Sequence, residues 1–309
     1  MAADYDSPWK EALDAYFDPF LALLFPKAHA QIDWSHGWES LDKEFQQVVR
    51  EAELGRRFVD KLAKVWTKSG SECWVLIHVE VQTDRDADFP LRMYVYHYRI
   101  FDRYNKPVAS LAVLADDDPH WRPSEFRQEM FGCESVLRFP TAKLVDLAAR
   151  EAELEASDNP FSKVVLAHLK TFETRGDPGR RHAWKLRLVR GLYERGLSAK
   201  DVRELFRLID WLMVLPPPLE EAFDQEIEDA QKEKHMPYVT SIERVGIRKA
   251  LRKGIQSLLK VRFGDEGLKL MPEIESVYDA DQLEAILQAL ETAQTPDEVR
   301  RIWLPAAEK

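Results

Sequence analysis

The chain has 309 residues, 45% of them hydrophobic, with a formal net charge of -10 and two cysteines. That is enough to bury at least one full core, and the length suits two domains or one elaborated domain. No run approaches the roughly 18 consecutive apolar residues of a membrane span, the opening MAADYDSPWK lacks the regions of a secretory signal, and Cys73 and Cys133 form neither a CxxC nor a Cys/His cluster. The expectation is a cytoplasmic protein without membrane contact, disulfide framework or zinc site.

In chain order, SPWKEALDAYFDPFLALLF predicts an amphipathic helix, with Ser7 as N-cap and Pro8 in the first helical position. ESLDKEFQQVVREAELG predicts a second helix that stops at Gly55. RRFVDKLAKVW, TKSGSE and CWVLIHVEVQ predict strand, turn and strand. DFPLRMYVYHYRIFDRYNKP predicts a Tyr-rich helix, with Asp88 as cap, Pro90 near the first turn and Pro107 beyond its end. VASLAVLAD predicts a fully buried strand, and SVLRFPTAKLV a further one that Pro140 demotes to an edge or a bulge.

Beyond residue 150 the pattern turns helical. Ser198 and Ser241 serve as caps, Gly196 and Gly264 as stops, and PPPLEE (216 to 221) and HMPY (235 to 238) as interruptions. Thr295 and Glu298 form a capping box for the last helix. The expected organisation is an α/β region over 1–150, a helical region over 151–239 and a C-terminal helical domain over 240–309. Trp184 and Trp211 are read as core fillers.

Net acidity argues against a protein that coats nucleic acid, because phosphate binding relies on clustered Lys and Arg. Charge is unevenly spread, however. Arg175 to Arg207 holds ten basic residues against four acids, and Arg244 to Arg262 holds seven basic residues and no acid. Each stretch reads either as a solvated helix face or as a guide for a phosphate backbone.

The chemistry concentrates in WVLIHVEVQ. Alternation sets Trp74, Leu76, His78, Glu80 and Gln82 on one face and Val75, Ile77, Val79 and Val81 on the other, an apolar face suited to core. A hairpin brings Asp60 of the preceding strand towards Glu80. Two carboxylates and the Val81 carbonyl make an oxygen-rich site suited to Mg2+ or Mn2+, which would activate water against a phosphodiester. The alternative is that Asp60 pairs with a nearby Arg or Lys while Glu80 and Gln82 face solvent. His78 reads as a hydrogen-bonded structural residue.

FVDKLAKVW, WVLIHVEVQ, LRMYVYHYRIFDRY and VASLAVLADD, in this order, resemble the PD-(D/E)XK nuclease superfamily, in the transposase-like or recombination-promoting branch that carries Gln for Lys. The resemblance covers roughly residues 10 to 150, and about 240 to 304 is similar to a helical domain often appended to such proteins. It implies a restriction-endonuclease-like core of helix, three antiparallel strands, helix and strand, followed by a mostly α-helical half. It also implies a Mg2+-dependent DNA endonuclease with Asp60, Glu80 and Gln82 as catalytic residues and Asp60 and Glu80 as metal ligands. Arg92 and Tyr96 are similar to the supporting Arg and Tyr of that branch, and Asp42 or Glu44 stands where some members bring a further acid. Gln82 departs from the superfamily lysine: an amide donates but carries no charge and cannot act as a general base. The second functional class is therefore an interaction module that keeps the fold without catalysis; RNA is a third substrate reading. DNA is the expected partner, through the helices near 175–207 and 244–262, and the C-terminal helices offer a surface for a homo-oligomer.

Overall fold

The structure, a computed structural model, describes residues 6–43, 45, 59–80, 87–194, 197–234, 241–275, 277, 280–293 and 295–303. The protein is α/β at its N-terminal end and mostly helical beyond it. The opening helix is broken into α1 (Asp6–Ala15) and α2 (Phe17–Leu24), followed by α3 (Pro26–His29). Continuing α1 into α2 would set the Pro19 ring against the carbonyl four residues back, so the chain turns at Tyr16. Ser7 and Pro8 lie just inside α1, which begins one residue earlier than the expected cap.

The segment expected to be the second helix opens instead as strand β1 (Glu39–Ser40), hydrogen-bonded to β2 (Val59–Trp66). Asp42, Lys43 and Phe45 are helical, and residues 46–58, including the Gly55 stop, lie outside the described residues. β2 and β3 (Glu72–Glu80) form the expected hairpin, antiparallel from Val59↔Val79 to Trp66↔Glu72. Its turn uses Gly70 at φ 83, whose N–H donates to Thr67 O at 2.8 Å, a conformation that glycine adopts without a Cβ clash.

The Tyr-rich segment is helix α4 (Phe89–Tyr104). Asp88 occupies its N-cap position without a capping hydrogen bond from its side chain, and Asn105 ends it at φ 48, ahead of Pro107. α4 carries the chain back across the sheet, so that β4 (Val108–Leu114) runs parallel to β3, from Trp74↔Val108 to Glu80↔Leu114. As expected, β4 is buried over most of its length.

SVLRFPTAKLV is not one strand. Pro140, which cannot donate to a ladder, separates β6 (Cys133–Arg138) from β7 (Thr141–Lys143), and the two belong to different sheets. β6 pairs with β5 (Glu125–Met130), which the sequence reading omitted, in a two-stranded arm, while β7 extends the main sheet parallel to β4. The result is a mixed five-stranded sheet, β1-β2-β3-β4-β7. One face packs on α4, through Leu62, Trp74, Tyr96 and Ile100 and through Phe89, Met93, Ala112 and Leu114. On the other face Lys61 reaches Asp14 of α1.

The helical part comprises α5 (Glu151–Ala156), α6 (Phe161–Glu173), α7 (Pro178–Glu194), α8 (Ala199–Leu212), α9 (Pro217–Lys234), α10 (Ser241–Leu268), α11 (Met271–Glu275), α12 (Ala280–Thr292) and α13 (Pro296–Arg300). Ser198 accepts the Asp201 N–H at 3.1 Å and Thr295 that of Glu298 at 3.3 Å, as caps do. Residues 213–216 break the helices before Pro217. Gly264 departs from helical geometry inside α10 at φ 61, where a stop was expected, whereas Gly196 and HMPY lie outside the described residues.

The chain divides into two compact units, one of Met1–Leu197 with Glu204–Val214, the other of Ser198–Arg203 with Leu215–Lys309. The second has its own apolar core, including Ile255, Leu259, Ile274, Leu283, Ile286 and Leu290. Gly267 permits a close approach there: a Cβ would sit 2.7 Å from Leu259 O. Among the described residues no helix is long and apolar enough to cross a membrane.

Candidate functional site

The geometry of the acids follows from strand register. Asp60 lies directly opposite His78, and Glu80 is two residues further along β3. Cross-strand partners share a face and residues two apart return to it, so Asp60, His78 and Glu80 occupy one face, with Asp60 and Glu80 as diagonal neighbours. Such neighbours stand about 7–8 Å apart on the backbone, within reach of longer side chains. Leu62, two residues from Asp60, packs with Tyr96 and Ile100, so this is the face that α4 covers. Gln82 and Val81 lie outside the described residues.

α4 runs opposite to β3 and β4, which sets its first turns at the end of the sheet where β3 finishes. Arg92 and Tyr96, the supporting residues implied by the resemblance, lie on its buried side, 6% and 1% exposed. The Arg92 guanidinium stands 5.9 Å from the Phe89 ring centre, while the Tyr96 ring meets Phe45 edge-on at 5.5 Å within the apolar cluster. Tyr96 is therefore a core residue whatever else it does. His97 bonds Ser110 of β4 at 2.9 Å and ties the helix to the same face.

The opposite face of β2 is a separate electrostatic unit. Lys61 is fully buried, and its ammonium donates to Asp14, to Ser40 Oγ at 2.8 Å and to Asp42 Oδ2 at 2.9 Å, with the Trp38 ring centre 5.2 Å away. Three donors meet three acceptors, so the buried charge is satisfied. Of the two acids considered as further contributors, Asp42 is thus held on the face away from Asp60, and Glu44 lies outside the described residues.

A cavity of ≈ 300 Å³ lies elsewhere, beyond the end of β4, lined by Asp116, Glu151, His168, Lys170, Phe172 and Glu173 among others. Its charges are largely matched within the fold. Lys143 of β7 pairs with Asp116, and Lys170 with Glu151 and with Glu173 at 2.5 Å. His168 is fully buried: Trp9 Nε1 can only donate to its Nδ1, at 3.3 Å, so Nε2 carries the proton and donates to Ala115 O at 2.7 Å. Burial of this neutral ring pushes its pKa down to about 4, against a smaller upward pull from the Ala115 carbonyl.

The basic stretch from Arg175 to Arg207 is mostly spent inside the first unit. Arg175 pairs with Asp117 at 3.3 Å, Arg180 with Glu173 at 2.7 Å, buried Lys185 with Asp210 at 2.7 Å, Arg187 with Glu155 at 2.6 Å and Arg207 with Glu204 at 2.9 Å. Arg181 donates to Thr171 O at 2.9 Å. Arg190, Lys200 and Arg203 are exposed. Trp184 is half-buried between two cations, Lys170 at 4.0 Å and Arg187 at 4.7 Å from its ring centre. In the second stretch, Arg252 donates to Val277 O at 2.8 Å and Arg262 to Leu290 O, whereas Lys253 and Lys260 are exposed.

The sequence reading missed Lys61, Lys143, His168 and Lys170, whose partners lie between 3 and 159 positions away and form no local motif. Among the described residues no three His, Cys, Asp or Glu side chains gather as a metal-binding group. No protein-family model matches the chain, and no curated protein and no solved structure is detectably similar to it.

Proposed function

We propose that the protein is a metal-dependent DNA endonuclease of the PD-(D/E)XK kind, with Asp60 and Glu80 as metal ligands. The observation that carries this reading is the register that makes these two acids diagonal neighbours on the α4-covered face. The element order supports it: helix, three antiparallel strands, helix and a parallel strand. Two carboxylates on adjacent strands suit a hard cation such as Mg2+ or Mn2+. When bound, that ion supplies an activated water and neutralises charge on the phosphate. The chain's own part is to hold the acids in place and to set Arg92, in the early turns of α4, along the same face. Arg92 is then the cation that compensates for the neutral Gln82 by stabilising negative charge on the phosphate.

A second reading has an observation in its favour. Six basic residues of the 175–207 stretch are engaged inside the fold, which limits what is left for a phosphate backbone and suits an interaction module without catalysis. Plasmid nicking in Mg2+ or Mn2+ separates the two. The nuclease reading expects nicking by the native chain and its loss in Asp60→Asn and Glu80→Gln. Equal activity in all three preparations, or none in the native chain with either ion, overturns it.

A further inference from the structure

Every residue lining the cavity of ≈ 300 Å³ belongs to the first unit, at the place where the chain leaves two parallel strands. Ala115, Asp116 and Asp117 follow β4, Val145 and Ala148 follow its neighbour β7, and α6 closes the lining. The space beyond the carboxyl ends of parallel strands is where open α/β sheets place their ligands. The cavity shares no residue with α4 or with the acids Asp60 and Glu80.

Its walls are largely apolar, through Ala115, Val145, Ala148, Leu166, Leu169 and Phe172. They are also balanced in charge. Each lining acid has a cation of its own: Asp116 has Lys143, Asp117 has Arg175, Glu151 has Lys170 and Glu173 has Arg180. Lys170 turns its remaining donors to Glu173 and the Trp184 ring, and both ring nitrogens of His168 are bonded, to Trp9 and Ala115. A charged ligand would enter without a countercharge, which burial penalises. An uncharged one would not.

One polar atom is left over. Asp116 is buried, and its Oδ1 accepts from Lys143 and, at 3.0 Å, from the Asp118 N–H. Its Oδ2 is buried without a hydrogen-bond partner among the described residues. Such an oxygen costs stability until a donor meets it. The χ2 torsion of an aspartate is broad, so a small turn presents Oδ2 to the cavity while Oδ1 keeps Lys143. A carboxylate oxygen only accepts, so the ligand must bring an O–H or N–H. Water brings one as well, but it gains nothing from the apolar lining, whereas a ring does. An apolar cavity of about 150 Å³ is already enough to hold benzene.

We propose that this cavity binds a small uncharged aromatic molecule with one hydrogen-bond donor, of the phenol or indole class. Its ring lies against Leu166, Leu169 and Phe172, and its O–H or N–H donates to Asp116. Asp117 and Ala148 are exposed, so the cavity is reached from solvent without opening the core. The binding is independent of nuclease chemistry, because neither Asp60 nor Glu80 nor a metal ion takes part in it.

Calorimetric titration of the full chain, without metal or DNA, tests the site. Indole is expected to bind at one site. Benzofuran has the same two rings but no N–H, and should bind about tenfold more weakly or worse, because the buried oxygen then stays unpaired. Ala148→Trp adds bulk at an exposed lining position and should weaken indole by about tenfold or more. Asp116→Asn puts an amide donor beside the retained acceptor and should remove most of the preference for indole over benzofuran. Should Asp116→Asn fail to fold, Ala148→Trp and the benzofuran comparison still decide. Absence of indole binding up to its solubility limit overturns the proposal and leaves water as the partner of Oδ2. Equal affinity for indole and benzofuran overturns it, as does tighter binding of benzylammonium than of indole. Native affinity for indole in Ala148→Trp overturns it too, since the ring then binds elsewhere.

Discussion

The two faces of β2 use charge in opposite ways. On one, Lys61 is buried and neutralised by Asp14 and Asp42, with Ser40 completing its donors. On the other, one residue away, register gathers Asp60 and Glu80 on the side where α4 brings Arg92. The first arrangement satisfies its own charge, as a structural network must. On the second, strand register makes Asp60 and Glu80 diagonal neighbours, the arrangement on which the proposed metal site rests. The contrast sets a charge cluster that holds the fold beside the pair of acids proposed to do chemistry.

The largest expected effect breaks the second face. Asp60→Asn or Glu80→Gln should reduce metal-dependent nicking by about a thousandfold or more, the several kcal/mol that a bound metal supplies. The same changes should leave the denaturation midpoint near that of the native chain or raise it. A large fall in stability with unaltered nicking would assign these acids to the fold instead.

The first face predicts the reverse. Lys61→Ala removes a buried stem and leaves Asp14 and Asp42 without their shared ammonium, and should lower stability by about 3–5 kcal/mol in urea denaturation. Lys61→Met, which keeps the stem, should lose less.

His168 sharpens the comparison through pH. Its folded pKa, about 4, lies below the ordinary 6.5, so the unfolded chain binds the extra proton between these values. The stability it contributes is present above about 6.5 and is lost as pH falls towards 4, by roughly 3 kcal/mol in all. Urea midpoints at pH 7 and pH 4.5 should show the fall in the native chain, with a smaller pH-dependent loss in His168→Gln. The smallest effect lies in the second unit, where Thr295→Ala should cost about 1 kcal/mol through the lost cap.

Much of the fold was legible. The β2–β3 hairpin, α4, the buried β4 and the helical second half follow from alternation, caps and Pro positions that act over a few residues. β5 was missed because EFRQEM faces solvent over most of its length and so lacks the apolar alternation that marks a half-buried strand. β1 was misread because two residues become a strand only through pairing with Lys64 and Ala63. The register that makes Asp60 and Glu80 diagonal neighbours was legible from hairpin spacing, whereas the use of Asp42 by Lys61 was not. The basic stretch from Arg175 was visible as a charge count, but its partners, among them Asp117, Glu155 and Asp210, come from three other segments.

By itself the sequence determined the periodicities: which segments are helix or strand, and which acids fall on one side of a hairpin. Those properties depend on neighbours one to four residues apart, so they can be read without knowing what packs where. The tertiary structure alone decided which charges are neutralised and which buried polar atoms are left without a partner. Both depend on side chains distant in sequence, and in a medium of low dielectric a few ångströms between such groups separate a satisfied pair from an unsatisfied one.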